Sequence, residues 1–439
     1  MLNWIPDYDG WILVTGMLCA VAASIPGNFL VLRRMSMLGD SISHAVLPGL
    51  AVAFLVSGSR SGFPMFLGAL AVGILTAVLT EWIRRFGEVD EGASMGVVFT
   101  TFFALGLVMI VQAADHVDLD PGCVLYGSIE QTPYRSSTWT LPGDTLPIPL
   151  VVLTLAPVLL INMVIVGVFY KELKITAFDP ALAQSMGISR RKMHYLLMVI
   201  VAITAVASFE SVGNILVVAM FVVPPATARL LTERLGRMIL LSAVIAAASA
   251  VFGHLGATTA ATAAGLGSLN ISGMMAVAAG LLFCGAALFS PSHGVVVTGL
   301  RRSLLAIRIL SEDVVALLYR MEERQPGTTP AIGDLCDILL ARPLAVRAAL
   351  WWQKWAGRVE QHGVGWKLTV GGRTSGLQLV RSHRLWEQYL IDQAGVSMDR
   401  IHDQAERLEH YTGRDLRTRL DEQMSTPQTD PHGSPIPEE

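Results

Sequence analysis

Apolar stretches of roughly 17 to 25 residues recur along the first part of the chain, at about 11–34, 42–57, 63–83, 94–113, 147–170, 193–208, 211–230, 238–255 and 273–290. A helix of about 20 residues crosses about 30 Å of hydrocarbon, so the pattern predicts an all-α polytopic membrane protein with eight or nine transmembrane helices. Basic residues mark alternate ends of these runs: Arg33 and Arg34, Arg84 and Arg85, then Lys171, Lys174 and Arg190 to Lys192, then Arg229, Arg234 and Arg237, then Arg301 and Arg302. The acidic stretch from Asp115 to Asp120 falls at an opposite end. By the positive-inside rule the basic ends face the cytoplasm. Nine spans then place the amino terminus outside and the carboxy-terminal part in the cytoplasm.

The period changes after residue 300. Ser311 to Arg324, Ala331 to Leu340 and Pro343 to Val359 read as three short helices, and Trp366 to Gly376 as a strand, a turn and the start of a further element. Three helices and a hairpin make a winged-helix pattern. Residues 377–395, 399–411 and 413–424 read as further amphipathic helices, and the Pro, Gly and acid content of 426–439 as a flexible tail. The expected organisation is a membrane domain over 1–300, a winged-helix-like segment over 301–376, a helical segment over 377–425 and the tail.

Composition agrees with two solvent classes: of 439 residues 52% are hydrophobic and only 15% charged, and the charge is concentrated after residue 300. The first run lacks a preceding Lys or Arg and is too long for a signal-peptide core, so it is kept as a spanning helix. Cys19, Cys123, Cys284 and Cys336 show no CxxC spacing, which argues against a disulfide framework and a thiolate zinc site. The formal net charge of −3 says little, because the two parts must be judged separately.

Asp40 and His44 stand four residues apart at the head of the second apolar run, a spacing that puts both on one helix face. Ionisable groups in a bilayer are costly unless they meet a partner, water or an ion. A carboxylate and an imidazole together suit a borderline divalent ion. The alternative is local: Asp40 caps a helix starting at Ser41 and His44 is a satisfied interior histidine. Glu210, within Ala-Ser-Phe-Glu-Ser-Val-Gly213, reads as a turn between two spans or as a cavity carboxylate. Pro26-Gly27, Pro48-Gly49, Gly213 and Pro224-Pro225 signal either broken helices or close packing through small residues. On the cytoplasmic side, Asp179-Pro180 caps a short amphipathic helix ending near Gly187. Such a helix serves as an interfacial anchor or a docking element.

These motifs carry a resemblance. Residues 11–300 resemble the permease subunit of bacterial ABC importers for manganese, zinc or iron. The matching stretches are Arg33 to Gly49 with its Gly-Asp-x-x-x-His core, Phe169 to Gly187 with Lys-Glu-Leu-Lys and Phe-Asp-Pro, Val212 to Ala228, and Ile271 to Gly294 with Phe-Ser-Pro-Ser-His-Gly. The resemblance implies that Asp40 and His44 line the metal path. It implies too that Phe178, Asp179, Pro180, Ala183 and Gly187 belong to a coupling helix that contacts an ABC ATPase subunit. A second permease chain, as a homo- or heterodimer, and an extracytoplasmic metal-binding protein are the other implied partners, at a bacterial plasma membrane. No Gly-x-x-x-x-Gly-Lys-Ser/Thr loop occurs, so the expected role is a permease subunit without its own ATPase motif rather than an enzyme.

The densest set of ligand-type residues lies outside the apolar runs. His402, Glu406, Glu409 and His410 follow i, i+3 and i, i+4 steps, and His383 and Glu387 repeat the i, i+4 step one helix earlier. A solvated charged face with an Arg407 salt bridge is the plain alternative. From about Leu310 to Pro437 this part resembles the diphtheria-toxin-repressor family of metal-dependent regulators, best over Ser382 to His410. The resemblance implies one site of His383, Glu406, Glu409 and His410, a competing set of His383, Glu387 and His402, and Asp313 as a further ligand. Ala316 stands where manganese-type members carry a carboxylate. The implied cofactor is a divalent ion, manganese or iron favoured, with zinc within reach of the same donors. DNA is a candidate partner through Arg347 and Lys354 on Pro343 to Trp355, but two cations are few for phosphate binding and Trp351-Trp352 is unusual on a groove-reading face. The expected function is an ATP-driven divalent-metal importer permease with a fused cytoplasmic metal-responsive domain. The rivals are a membrane-tethered transcription regulator and a secondary metal transporter.

Overall fold

The computed structural model describes residues 6–35, 37–57, 62–113, 127, 129–134, 136–141, 144–260, 265, 269–424 and 428–438. The acidic stretch Asp115 to Asp120 and Cys123 lie outside them. The chain divides into two compact units, Met1–Val297 and Thr298–Glu439.

In the first unit α1 (Pro6–Leu32) is followed by a short α2 (Leu38–Ala45) and α3 (Leu47–Ser57), then α4 (Gly62–Phe86) and α5 (Glu91–Ala113). A hairpin of β1 (Ser136–Leu141) and β2 (Asp144–Pro149) leads into α6 (Leu150–Val168), α7 (Tyr170–Phe178) and the single-turn α8 (Pro180–Ser185). The unit closes with α9 (Arg190–Val212), α10 (Asn214–Leu231), α11 (Leu235–Leu255) and α12 (Ile271–Phe289). Among the described residues nine helical segments are long and apolar enough to cross a membrane, α2 and α3 together forming one of them.

The core forms around α1, whose Cys19, Ala23, Phe29 and Leu30 are fully buried with Phe221 of α10 and Leu197 of α9. Apolar association is weak between helices in lipid, so small residues and buried polar pairs set the packing. Gly27 shows the first device: a Cβ there would lie 2.2 Å from the Phe221 carbonyl oxygen. Asn28 Nδ2 donates to Ser242 Oγ at 2.7 Å, and Asn162 Nδ2 to Thr204 Oγ1 at 2.8 Å. Pro26 and Pro224-Pro225 stay inside continuous helices. The chain breaks instead at Val46, before Pro48, and at Gly213, whose φ of 79° separates α9 from α10.

Two local expectations change. Asp40 is the third residue of α2 rather than its cap; the cap is Met37, without a side-chain bond. Residue 210 lies within α9, since the helix runs to Val212 before the glycine ends it, rather than in a turn. Residues 33–35 close α1, with Arg33 N donating to Phe29 O and Met35 N to Leu30 O, and Leu38 is fully buried where α2 starts.

The second unit takes most of α13 (Val295–Arg324), then α14 (Ile332–Ile338), α15 (Pro343–Trp355) and a hairpin of β3 (Val359–His362) with β4 (Gly365–Leu368). Val314, Leu318, Leu335, Val346, Leu350 and Trp366 form its first core, as a winged-helix arrangement requires. Helix α16 (Val370–Asp392) starts where a turn and the start of a further strand or helix were read, so residue 376 falls inside a helix. Gly371-Gly372 prompted the turn reading. Thr369 instead caps the helix, accepting from Gly372 N at 3.1 Å, and Gly372 lies against the Arg358 carbonyl where a Cβ would not fit. Helices α17 (Met398–Glu409) and α18 (Arg414–Gln423) follow.

Residues 428–438, expected as a flexible tail, pack against α16. Ile436 is buried, Arg384 donates to the Pro435 carbonyl at 2.5 Å and to Glu323, and Arg381 donates to the Pro437 carbonyl and to Asp421. Polar composition suggested mobility. Buried Arg384 and half-buried Arg381 on α16, with an Asp430 turn that accepts from His432 N and Ser434 N, hold the segment in place.

Candidate metal centres

Helix α2 carries Asp40 and His44 one turn apart, with Asp40 Oδ1 3.4 Å from His44 Nε2. The third member is Asn214, the first residue of α10, whose Nδ2 lies 3.0 Å from His44 Nε2. Its Oδ1 is buried and unpartnered. These side chains and Ile215, Val218 and Ala219 line a cavity of about 370 Å³. The His44 ring packs on Phe99 and Phe103, midway along α5. The pair therefore packs between the middle of α5 and the first residue of α10, among apolar helices, where an ionisable group needs a functional reason. One carboxylate, one imidazole and an amide oxygen give a small oxygen and nitrogen donor set. Asn214 was not singled out from the sequence; its only signal is a polar residue opening a helix after Gly213.

Helix α8 follows from its sequence in detail. The Asp179 carboxylate accepts from Ala181 N at 3.1 Å and Leu182 N at 2.9 Å, Pro180 takes the first helical position, and Gly187 leaves with φ of 80°. Ala183 is fully buried, while Phe178, Leu182 and Met186 are exposed, which gives this short helix an apolar outer surface.

In the second unit α16 and α17 cross so that their ligand-type residues meet. His383 Nε2 lies 3.0 Å from Glu387 Oε1 and 3.1 Å from His402 Nδ1, and His402 Nδ1 is 3.0 Å from the same Glu387 oxygen. His383 Nδ1 is 2.6 Å from Glu409 Oε2. A second group forms where α13 meets the end of α17: His410 Nε2 lies 3.1 Å from Asp313 Oδ1 and 3.9 Å from Glu409 Oε1, and His410 Nδ1 is 2.9 Å from Glu312 Oε2. In each of the triads His383, Glu387, His402 and Asp313, Glu409, His410, ligand atoms lie within 4.8 Å of one another.

The set of His383, Glu406, Glu409 and His410 is not brought together. Glu406 is exposed, because α17 turns Ile401, Ala405 and Glu409 inward. His383 belongs with Glu387 and His402, and Glu409 stands between the two groups. Glu312 and His432, whose Nε2 lies 4.0 Å from Glu387 Oε1, are additions. Glu312 is adjacent to Asp313 in sequence; His432 carried no spacing signal, since the tail was read as mobile. Ala316 is buried and supplies no donor.

The donor chemistry fits a divalent ion: imidazole nitrogens and carboxylates suit manganese, iron or zinc, and buried His410 Nε2 faces the Asp313 carboxylate at 3.1 Å. Without an ion, protons balance the carboxylates. Burial opposes charge on His410, but Asp313 and Glu312 raise its pKa to about 10. Burial likewise opposes ionisation of Glu387, yet His383 and His402 lower it to about 2. The His410 imidazolium contributes stability that is complete below its ordinary 6.5 and lost as pH rises through about 10. Metal must displace that proton, so affinity is expected to fall about tenfold per pH unit as pH drops below the shifted value. Calorimetric Mn²⁺ titration of the chelator-stripped protein across pH, with proton release read alongside, checks this; a pH-independent affinity would contradict it.

Arg347 and Lys354 are both exposed on α15, beside exposed Trp351, Trp352 and Trp355.

Comparison with known proteins accords with this division. Residues 9–290 match the profile of the ABC 3 transport family, and residues 369–438 that of the iron-dependent repressor metal-binding and dimerisation domain. The manganese transport system membrane protein MntD of Bacillus subtilis is 45% identical over 295 residues, 67% of this chain and 96% of the relative. The zinc transport system membrane protein TroD of Treponema pallidum is 34% identical over 82% of this chain and 96% of its own length. The solved structure of PsaBC from Streptococcus pneumoniae in complex with Fab superposes with a TM-score of 0.53 at 29% identity, over 65% of this chain and 92% of that one. With its profile matched across the membrane-spanning unit and relatives aligned almost end to end, this multi-pass membrane chain belongs to the ABC 3 transport family and carries an iron-dependent-repressor-type domain at its carboxy-terminal end.

Proposed function

We propose that the chain is the membrane permease of an ATP-driven importer of divalent metal ions, manganese or iron foremost, and that its second unit is a cytoplasmic metal-responsive regulator. The observation that carries the transport reading is the cavity lined by Asp40, His44 and Asn214, a small hard-to-borderline donor set facing open space. The transported ion exchanges hydration for these donors on its way through. Two permease chains enclose the path, an extracytoplasmic metal-binding protein delivers the ion, and an ABC ATPase subunit docks on Phe178, Leu182 and Met186, exposed around α8. The relatives' names, one a manganese and one a zinc system, support a divalent cargo. Reconstitution with the partner ATPase and binding protein is the test. Uptake of ⁵⁴Mn²⁺ is expected to require ATP; uptake that persists without ATP on a proton gradient alone would refute the reading.

The regulatory role rests on the two donor triads joined by Glu409. Metal held by His383, Glu387 and His402, or by Asp313, Glu409 and His410, neutralises carboxylates that are otherwise balanced by imidazolium groups. It thereby changes how α13, α16 and α17 are held together. The unit thus reports cytoplasmic metal to transport or to transcription. The double variant His383→Ala, His410→Ala is expected to abolish metal-dependent repression of uptake or of transcription while leaving basal uptake intact. Unchanged metal response in both assays would remove this role.

A further inference from the structure

Helix α15 occupies the place of a DNA-reading helix but presents the wrong chemistry for one. Its inner face buries Val346, Ala349, Leu350 and Gln353. On its outer face Leu344, Trp351 and Trp355 are 78%, 67% and 85% exposed. Their i, i+7, i+11 spacing puts them on one stripe. Arg347 and Lys354, seven residues apart, flank one edge of that stripe. Phosphate binding along a duplex draws on several cations, and two beside an indole stripe supply little.

We propose that this face of α15 docks on an anionic lipid surface. Indole rings settle at the headgroup level with the ring body apolar and the N–H wet, and flanking Arg and Lys pair with anionic headgroups. The chain itself supplies the lipid: the last apolar helix ends at Phe289 and α13 begins at Val295. The first turns of α13 still expose Val295, Val296, Leu300 and Leu304. A helix in the same chain as a bilayer-spanning unit meets lipid at a raised effective concentration, so a modest intrinsic affinity is enough. The winged-helix segment then positions the metal-binding helices by lipid contact, where a DNA reader would use an operator.

The test uses the full chain in nanodiscs of phosphatidylethanolamine and phosphatidylglycerol, in a background lacking Cys19, Cys123, Cys284 and Cys336. A fluorophore is placed at Trp351→Cys or Trp355→Cys, with exposed Thr418→Cys on α18 as the control position. Lipids brominated on the acyl chain are expected to quench the α15 labels and spare the control, while aqueous iodide does the reverse. Arg347→Glu with Lys354→Glu should weaken docking by roughly fivefold per cation, and phosphatidylcholine nanodiscs should act in the same direction. The labelled and charge-reversed positions are exposed, so the fold should tolerate those changes. Equal iodide access at Trp355→Cys and Thr418→Cys would overturn the proposal. So would iodide protection without bromolipid quenching, which assigns the face to another protein copy, or protection that appears only on adding duplex DNA.

Discussion

Asp40→Ala in the reconstituted importer is expected to abolish metal uptake, with a loss exceeding about 100-fold, since even residues one step removed from an ion change affinity by about 10–100-fold. Among the described residues lining the cavity Asp40 is the carboxylate, with its oxygen 3.4 Å from His44 Nε2. Without it the cavity retains an imidazole and an amide, which solvate a dication poorly. The side chain is 43% exposed toward the cavity, so its removal should leave packing intact. His44→Ala should have a similar effect on uptake with some structural cost, because its ring packs on Phe99 and Phe103. The readout is initial uptake rate beside the ATPase rate of the same preparation. Wild-type uptake by Asp40→Ala would place the path elsewhere.

Glu409→Ala is the second large effect. The side chain is 3% exposed, with one oxygen 2.6 Å from His383 Nδ1 and the other 3.9 Å from His410 Nε2. Removing it takes a donor from one triad and the orienting partner from the other, so both sites should weaken together. In the metal-free protein it also leaves buried imidazoles short of a counter-charge, a loss of about 3–5 kcal/mol by analogy with broken buried ion pairs. Glu406→Ala is the contrast: exposed on the same helix, it should change neither metal stoichiometry nor thermal stability. Equal effects of the two substitutions in a Mn²⁺ titration would show that the helix faces have been assigned wrongly.

The difference between these two glutamates shows what spacing can carry. On one helix the steps 402, 406, 409 and 410 are all close enough to suggest a single face, and only the crossing of α16 over α17 selects Glu409 and excludes Glu406. His432 was invisible for the same reason: it is brought to Glu387 by a tail whose order depends on Arg381 and Arg384 of a distant helix. Asn214 and His44 are 170 positions apart and meet only through the packing of α2 against α10.

What the sequence determined by itself was the set of properties written at short range. Apolar runs of bilayer length imposed the spans, Asp179-Pro180 imposed the capped helix at 180–185, and i, i+4 pairs placed Asp40 with His44 and His383 with Glu387, because helix geometry links residues within a turn or two. Tertiary structure decided the meeting of His44 with Asn214, the choice of Glu409 over Glu406, the order of the tail and the exposure of the α15 indoles. Each depends on which distant helix covers a given face. That is a matter of close backbone approach, as at Gly27 and Gly372, and of buried polar partners, and neither leaves a periodic mark in the sequence.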